Sequence, residues 1–314
     1  MIVVGGESLV DLVPAGAGPL APLEPQLGGG PFNVAVATGR LGAPVAFLSR
    51  VATDGYGAAI LDRLTQSGVD TSLVQRGPEP TTLALAGIAA DGSAGYTFYV
   101  EGTADRLFAD PGPLPDRVTV LSLGTNSLAL EPGASGYESV LRRESARGVL
   151  TVVDPNIRPG LIADPDAYRR RFTAWLPDVG LLKLSTEDAR WLADCADVDG
   201  AVGKWLRAGP AAAVLTDGGK GLTVHTARGG RITVPAAPTT VVDTIGAGDT
   251  VHGALLAWLH ATNITSAAAV CELDDDGWRA ALGKAAAAAA ITVSRAGAHP
   301  PTAAELAAKM AADM

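Results

Sequence analysis

Long apolar runs, a cysteine framework and the usual nucleotide-binding signature are all missing from this 314-residue sequence. Cysteine occurs only twice, at Cys195 and Cys271. Two thiols build no disulfide framework and show no metal-ligand spacing, which fits a reducing, cytoplasmic setting. The start, Met1-Ile-Val-Val-Gly-Gly-Glu7, lacks the basic residues and long apolar stretch of a secretion signal. The alanine-rich run 285–291 is too short to span a bilayer and is flanked by Lys284 and Arg295. Alanine's helix propensity makes that run a helix packed closely on a sheet. Positive charge is in deficit: 24 Lys and Arg against 33 Asp and Glu leave a net charge of −9. That balance argues against nucleic acid or a membrane surface as the main partner, though not against a local basic pocket. No Gly-x-x-x-x-Gly-Lys-Ser/Thr loop occurs, so any nucleotide phosphates need another cradle. No Gly-x-Gly-x-x-Gly follows the first strand with an acid about twenty residues on, which argues against a dinucleotide oxidoreductase.

What is present is a regular alternation. At roughly 150 residues per domain, the length admits two domains or one large α/β domain with an appendage. No internal repeat or long linker divides the chain, so the expectation is one domain over 1–314. Strands are expected at 1–4, 45–51, 118–123, 149–153, 179–184 and 212–216. Helices are expected at about 31–41, 57–67, 135–146, 165–174, 185–192 and 199–208. A hairpin at 221–225 and 231–234 precedes helices at 250–261, about 278–293 and 302–311. Such alternation implies a central, mostly parallel sheet flanked by helices on both faces. One stretch breaks the pattern. Residues 81–89 and Tyr96–Val100 read as a β-hairpin turned at Asp91-Gly92. With 9–13 and part of 20–27 they form a small β-sheet over one end, a lid drawn from about 9–27 and 81–105. Ligands of parallel sheets bind beyond the C-terminal strand ends, where Asp154, Ser185, Thr216 and the turn 243–249 are expected.

That turn, Asp243-Thr-Ile-Gly-Ala-Gly-Asp249, follows the extended apolar stretch Thr239–Val242 and opens a long helix. Its glycines allow a tight turn. The unpaired N–H groups and dipole of the helix start favour an anion. Asp249 stands beside that anion pocket, and the dipole favours its ionised form. A phosphate cradle with an adjacent acid is what phosphoryl transfer to a hydroxyl needs. An ordinary helix-start aspartate is the bland alternative.

Gly28-Gly-Gly-Pro-Phe-Asn33-Val-Ala, followed about two hundred residues later by Asp243-Thr-Ile-Gly-Ala-Gly-Asp249, resembles the two signatures of the PfkB (ribokinase-like) carbohydrate kinases. Thr216-Asp-Gly-Gly-Lys-Gly221 and Ser294-Arg-Ala-Gly-Ala298 resemble the family's nucleotide and cation loops, so the likeness covers nearly the whole chain. Within the family the pattern is closest to bacterial fructokinases, through Gly5-Gly-Glu-Ser-Leu-Val-Asp11, Gly102-Thr-Ala-Asp105, Asp154-Pro-Asn-Ile-Arg158 and Lys183-Leu-Ser185. Kinases of 2-keto-3-deoxygluconate or ribose share several of these marks.

The resemblance implies an ATP-dependent sugar kinase. Asp249 becomes the catalytic base, with the backbone of Gly246, Ala247 and Gly248 as the anion hole. Asp11, Gly29, Gly30, Asn33, Asp105 and Arg158 are the implied sugar site. Ser185, Thr216, Gly218, Gly221 and His299 are implied around the nucleotide, and Mg²⁺ comes with ATP chemistry. Ser185-Thr-Glu-Asp188 matches a family element whose acidic end is usually Glu. Asp243, Ile245, Arg295 and Gly297 resemble a monovalent-cation loop, with K⁺ the implied ion. Some relatives dimerise through the lid, so a homodimer is a further expectation. The competing reading from another class is a non-catalytic sugar sensor on a kinase fold.

Overall fold

A strand covered by helices on both sides must be apolar on both faces, and the central strands here are. In a computed structural model that describes residues 1–312 except 17, 19 and 89–93, β1 (Ile2–Gly5) is buried throughout. It leads to β2 (Leu9–Pro14), β3 (Leu23–Gly28), α1 (Gly30–Arg40), β4 (Val45–Ala52) and α2 (Gly55–Gln66). Two short strands, β5 (Val69–Asp70) and β6 (Val74–Gly77), precede β7 (Thr82–Ile88) and β8 (Ala94–Tyr99). Strict alternation follows through β9 (Val120–Gly124), α3 (Gly133–Ala146), β10 (Leu150–Asp154), α4 (Pro165–Trp175) and β11 (Leu181–Ser185). Then come α5 (Thr186–Ala193), α6 (Val198–Ala208), β12 (Ala212–Thr216), and the hairpin β13 (Leu222–Thr226) and β14 (Arg231–Val234). Helices α7 (Ala247–Ala261), α8 (Ala267–Cys271), α9 (Asp275–Val293) and α10 (Ala303–Ala312) complete the described chain.

The large sheet runs β14-β13-β12-β11-β10-β9-β1-β4-β5, with β6 beside the end of β4. Every pairing from β12 to β5 is parallel; β13 and β14 join antiparallel. Alternate side chains serve opposite faces. Val120, Val152 and Leu181 enter one core with residues of α1, α7 and α9. Leu121, Val153 and Leu182 enter the other with α3, α4 and α6. A separate four-stranded sheet has the order β3-β2-β7-β8, with the central β2–β7 pair parallel. The small sheet is thus built from the expected segments; the Asp91-Gly92 turn lies outside the described residues. Among the described residues no helix is long and apolar enough to cross a membrane.

Two local readings differ from the structure. Residues 239–242 form no strand: Val241 and Val242 are 61% and 62% exposed, and the amides of Val242 and Asp243 both donate to Val293 O at the end of α9. Apolar residues there cover the mouth of a cavity rather than a sheet face. The strands β5 and β6 and the short α8 were not expected, being too brief to show a period. The alanine-rich run is helical and lies against the sheet at β13 and β14 as expected, and α9 also packs on α7.

Candidate active site

Two helix starts make the site. Gly246, at φ 74°, caps α7 in the left-handed region open to glycine, so the chain turns sharply into the helix at Ala247. Helix α1 starts at Gly30, and Asn33 lies in its first turn. The two helices touch closely because position 253 is glycine: a Cβ there would stand 2.7 Å from Ala37 Cβ and 3.0 Å from Val34 O. That approach places Asn33 Nδ2 2.9 Å from Asp249 Oδ2, donating to it. Residues 216 positions apart therefore meet in one hydrogen bond.

Two cavities flank the turn. One, of about 280 Å³, is lined by Asp11, Gly29, Gly30, Asn33, Arg158 and Asp249, with Tyr96 and Phe98 of β8 above. The other, of about 570 Å³, is lined by Thr216, Gly218 and Gly221 on one side and Ala247 and Gly248 on another. Ala286, Ala289 and Ala290 of α9 form its apolar wall, small enough to leave the space open. Thr244 borders both cavities, Gly246 and Asp249 face the smaller, and Ala247 and Gly248 face the larger. Residues 244–249 are thus the partition between them. Such a partition can pass a group from a ligand on one side to a ligand on the other.

Burial pushes the Asp249 carboxyl up to about 6, against the pull of the Asn33 amide and the Lys183 charge. The helix dipole was expected to favour its ionised form; desolvation is the larger influence. Burial also pushes Asp11 up to about 6, opposed by Arg158 and aided by Asp249. Arg158 is exposed, and its Nη1 donates to Asn156 Oδ1 at 2.8 Å, which holds the guanidinium near the cavity. The Ala247 amide donates to Thr244 O at 3.2 Å, so of the three amides expected to form an anion hole this one is shared with the turn.

Other expected residues lie elsewhere. Asp105 borders an adjacent crevice with Glu7 and Asn126, and its Oδ1 accepts from Thr82 Oγ1 and, at 3.1 Å, from Thr103 Oγ1. It ties the foot of β7 to the turn after β8. Ser185 lines neither cavity: its hydroxyl donates to Asp188 Oδ2 at 2.7 Å and accepts from the Asp188 amide, a capping box at α5. Asp188 Oδ1 also accepts from Ile157 N at 2.8 Å, so its carboxylate anchors the loop after β10. His299 is exposed outside both cavities, its pKa lowered by burial and by Arg63, Arg40 and Arg295. Asp243 joins the two expected cation-loop segments: Oδ2 accepts from Gly297 N at 2.7 Å and Oδ1 from Ile245 N at 3.0 Å. Arg295 instead pairs with Glu305. No group of three or more His, Cys, Asp or Glu among the described residues could hold a metal ion.

Sequence reasoning did not assign the buried group behind Asp249. Lys183 Nζ donates to Asp154 Oδ2 at 2.7 Å, and His252 Nδ1 lies 3.4 Å from the same oxygen. Burial alone would raise Asp154, but Lys183 and His252 outweigh it and hold the carboxyl at about 2. Burial alone would lower Lys183, and Asp154 reverses that. The available signal was a lysine inside the apolar strand Leu181-Leu182-Lys183-Leu184. Glu7 was also missed; it accepts from Thr125 Oγ1 and from Ser127 Oγ at 2.5 Å, and burial raises its pKa.

Residues 1–304 match the model of the pfkB family carbohydrate kinases. The chain belongs to that family. Among curated relatives, a fructokinase of Rhizobium leguminosarum bv. trifolii is 38% identical over 285 residues, covering 89% of this chain and 86% of its own. Fructokinase-2 of Zea mays is 32% identical over 268 residues, covering 82% and 79%. The crystal structure of a fructokinase with bound ATP from Xylella fastidiosa superposes with a TM-score of 0.91 at 27% identity, covering 99% of this chain and 98% of that one. The fold is therefore ribokinase-like α/β, and the pfkB chain described here is a carbohydrate kinase, a phosphotransferase with an alcohol acceptor.

Proposed function

We propose that this pfkB kinase transfers the γ-phosphoryl group of ATP to a hydroxyl of fructose, giving fructose 6-phosphate and ADP. The observation that carries the reading is the partition at 244–249, with Asp249 bound to Asn33 on the smaller cavity and the helix-start backbone on the larger. Fructose would occupy the smaller cavity, where Asp11, Asn33 and Arg158 offer short polar groups to its hydroxyls. ATP would occupy the larger, its adenine end against the alanines of α9 and its triphosphate directed at Gly246–Gly248. The sugar hydroxyl gives its proton to Asp249 while its oxygen attacks the γ-phosphorus, and the bond to the ADP oxygen breaks. Backbone N–H groups of the turn meet the charge that develops on the transferred group. Magnesium on the triphosphate supplies charge neutralisation; with no acidic cluster among the described residues, phosphate oxygens and water would complete its coordination. A monovalent cation would sit between the loops joined by Asp243, held by backbone carbonyls.

The same reading treats 1–314 as one working unit in which the small sheet closes on the sugar through Tyr96 and Phe98. Its outer face, where Tyr99 is 56% exposed, is the surface assigned to a homodimer.

A coupled ADP-release assay with fructose, 2-keto-3-deoxygluconate, ribose and a nucleoside tests the acceptor. Fructose should give the highest kcat/KM by at least about tenfold. Higher turnover with another sugar would change the substrate but keep the kinase. Sugar binding with no ADP release from any acceptor would leave a sensor.

A further inference from the structure

Behind the partition at 244–249 lies a buried ionic group that the transfer as written above does not use. Lys183 leaves the middle of β11, and its side chain is 5% exposed. Its ammonium is fixed by Asp154 Oδ2 at 2.7 Å. The Asp154 carboxylate is steadied in turn by His252, whose Nε2 lies 3.0 Å from Ser122 Oγ. An ion pair this deep adds little stability by itself, because desolving both charges offsets their attraction. Its position is more informative. Lys183 Nζ lies 3.4 Å from where a Cβ on Gly248 would stand, directly behind the backbone of the anion turn. Asp154 also borders the small crevice shared with Asp249 and Gly30.

We propose that Lys183 is a positioning residue of the phosphoryl-transfer centre: its buried ammonium, held by Asp154, projects positive charge through Gly248 onto Asp249 and the group in transfer. A helix start offers about half an elementary charge. Lys183 adds the positive end of an ion pair, its field at Asp249 opposed only in part by Asp154, in a site shielded from water and needing no reorganisation during reaction. Among the described residues, the other charged or titratable groups facing Asp249 are Asp154 beneath it, Arg158, Asp11, Glu7 and Tyr96 around the sugar cavity, and His252 one turn along α7. Of the two nearest, Lys183 outweighs Asp154 at the Asp249 carboxyl.

This inference rests on Asp249 being the base, so Asp249→Asn is measured alongside. In the wild type, K183M, K183R and the double variant D154N/K183M, kcat, both KM values and the pH profile of kcat/KM are compared. K183M should lose about 100-fold in kcat with KM for fructose nearly unchanged. Its acid limb should move up by about one pH unit. K183R, which keeps the charge, should return the limb toward wild type. D154N/K183M strands no buried carboxylate, so it serves if K183M does not fold, and its limb should move in the same direction. A folded K183M or double variant with wild-type kcat and an unmoved limb overturns the proposal and leaves the pair structural. Full activity in Asp249→Asn would instead remove the base assignment.

Discussion

As the proposed base, Asp249 would have to be ionised in surroundings that favour its neutral form. Burial raises its carboxyl to about 6, a value suited to a base working near neutrality. Below that value the base is protonated, so kcat/KM should fall about tenfold per pH unit on the acid side, with the bend near 6. A profile flat down to pH 4.5 would contradict this. Stability carries the opposite sign. The folded value exceeds the ordinary 3.8, so the folded state binds the extra proton between the two. That contribution is full below about 4 and is lost as pH rises through about 6. Asp249→Asn, which stays neutral, should therefore be more stable than the wild type at pH 8, by about 1 kcal/mol after allowing for partial solvation. Urea denaturation at pH 5 and pH 8 checks it, with the gain confined to the higher pH. Asp249, Asn33, Asp11 and Arg158 were singled out by the resemblance of their glycine-rich and strand-end segments to the family, since each alone reads equally well as a helix-start or strand-end residue; the fold brings all four to one cavity. Lys183 was not, because its meaning lies in what strand β11 passes behind, which no local pattern records.

At the scale of elements, the site depends on how closely α1 and α7 approach. Gly253→Val would put methyl groups into Ala37 and the α1 backbone. It should cost about 1–3 kcal/mol by overpacking, and it should loosen the Asn33–Asp249 hydrogen bond enough to lower kcat. Thermal unfolding and turnover measured together check this; an unchanged kcat in a destabilised variant would mean that the bond is dispensable. The α9 wall gives a separable effect. Ala289→Leu intrudes on the larger cavity and should raise KM for ATP about tenfold while sparing KM for fructose. Helices and central strands were readable from their periods, and their ends shifted by a few residues at most. The stretch Thr239–Val242 misled because β-branched residues suit a strand equally well when they line a cavity mouth. Short elements such as β5 and α8 are made by tertiary contacts and leave no periodic trace.

Across the whole molecule, two signatures at opposite ends of the chain converge because parallel strands all deliver their C-terminal ends to one edge. Glu7, Thr125, Asp154 and Thr216 follow or close four different strands there. The small sheet was legible as a break in alternation, although the parallel pairing of β2 with β7 was not, since nothing local fixes partners 73 residues apart in register. Ser185, Asp105 and His299 were implied by the resemblance, and none lines either cavity here: Ser185 caps α5, Asp105 accepts from Thr82 and Thr103, and His299 is exposed. The central claim is that one carboxylate at this convergence takes the proton of a sugar hydroxyl as phosphate crosses the partition. Its most direct test is fructose-dependent ADP release by the wild type and Asp249→Asn, with fructose binding measured separately. The account predicts turnover in the wild type, a loss of at least about 1,000-fold in the variant, and fructose affinity kept within a few-fold. Turnover in Asp249→Asn within tenfold of wild type would contradict it.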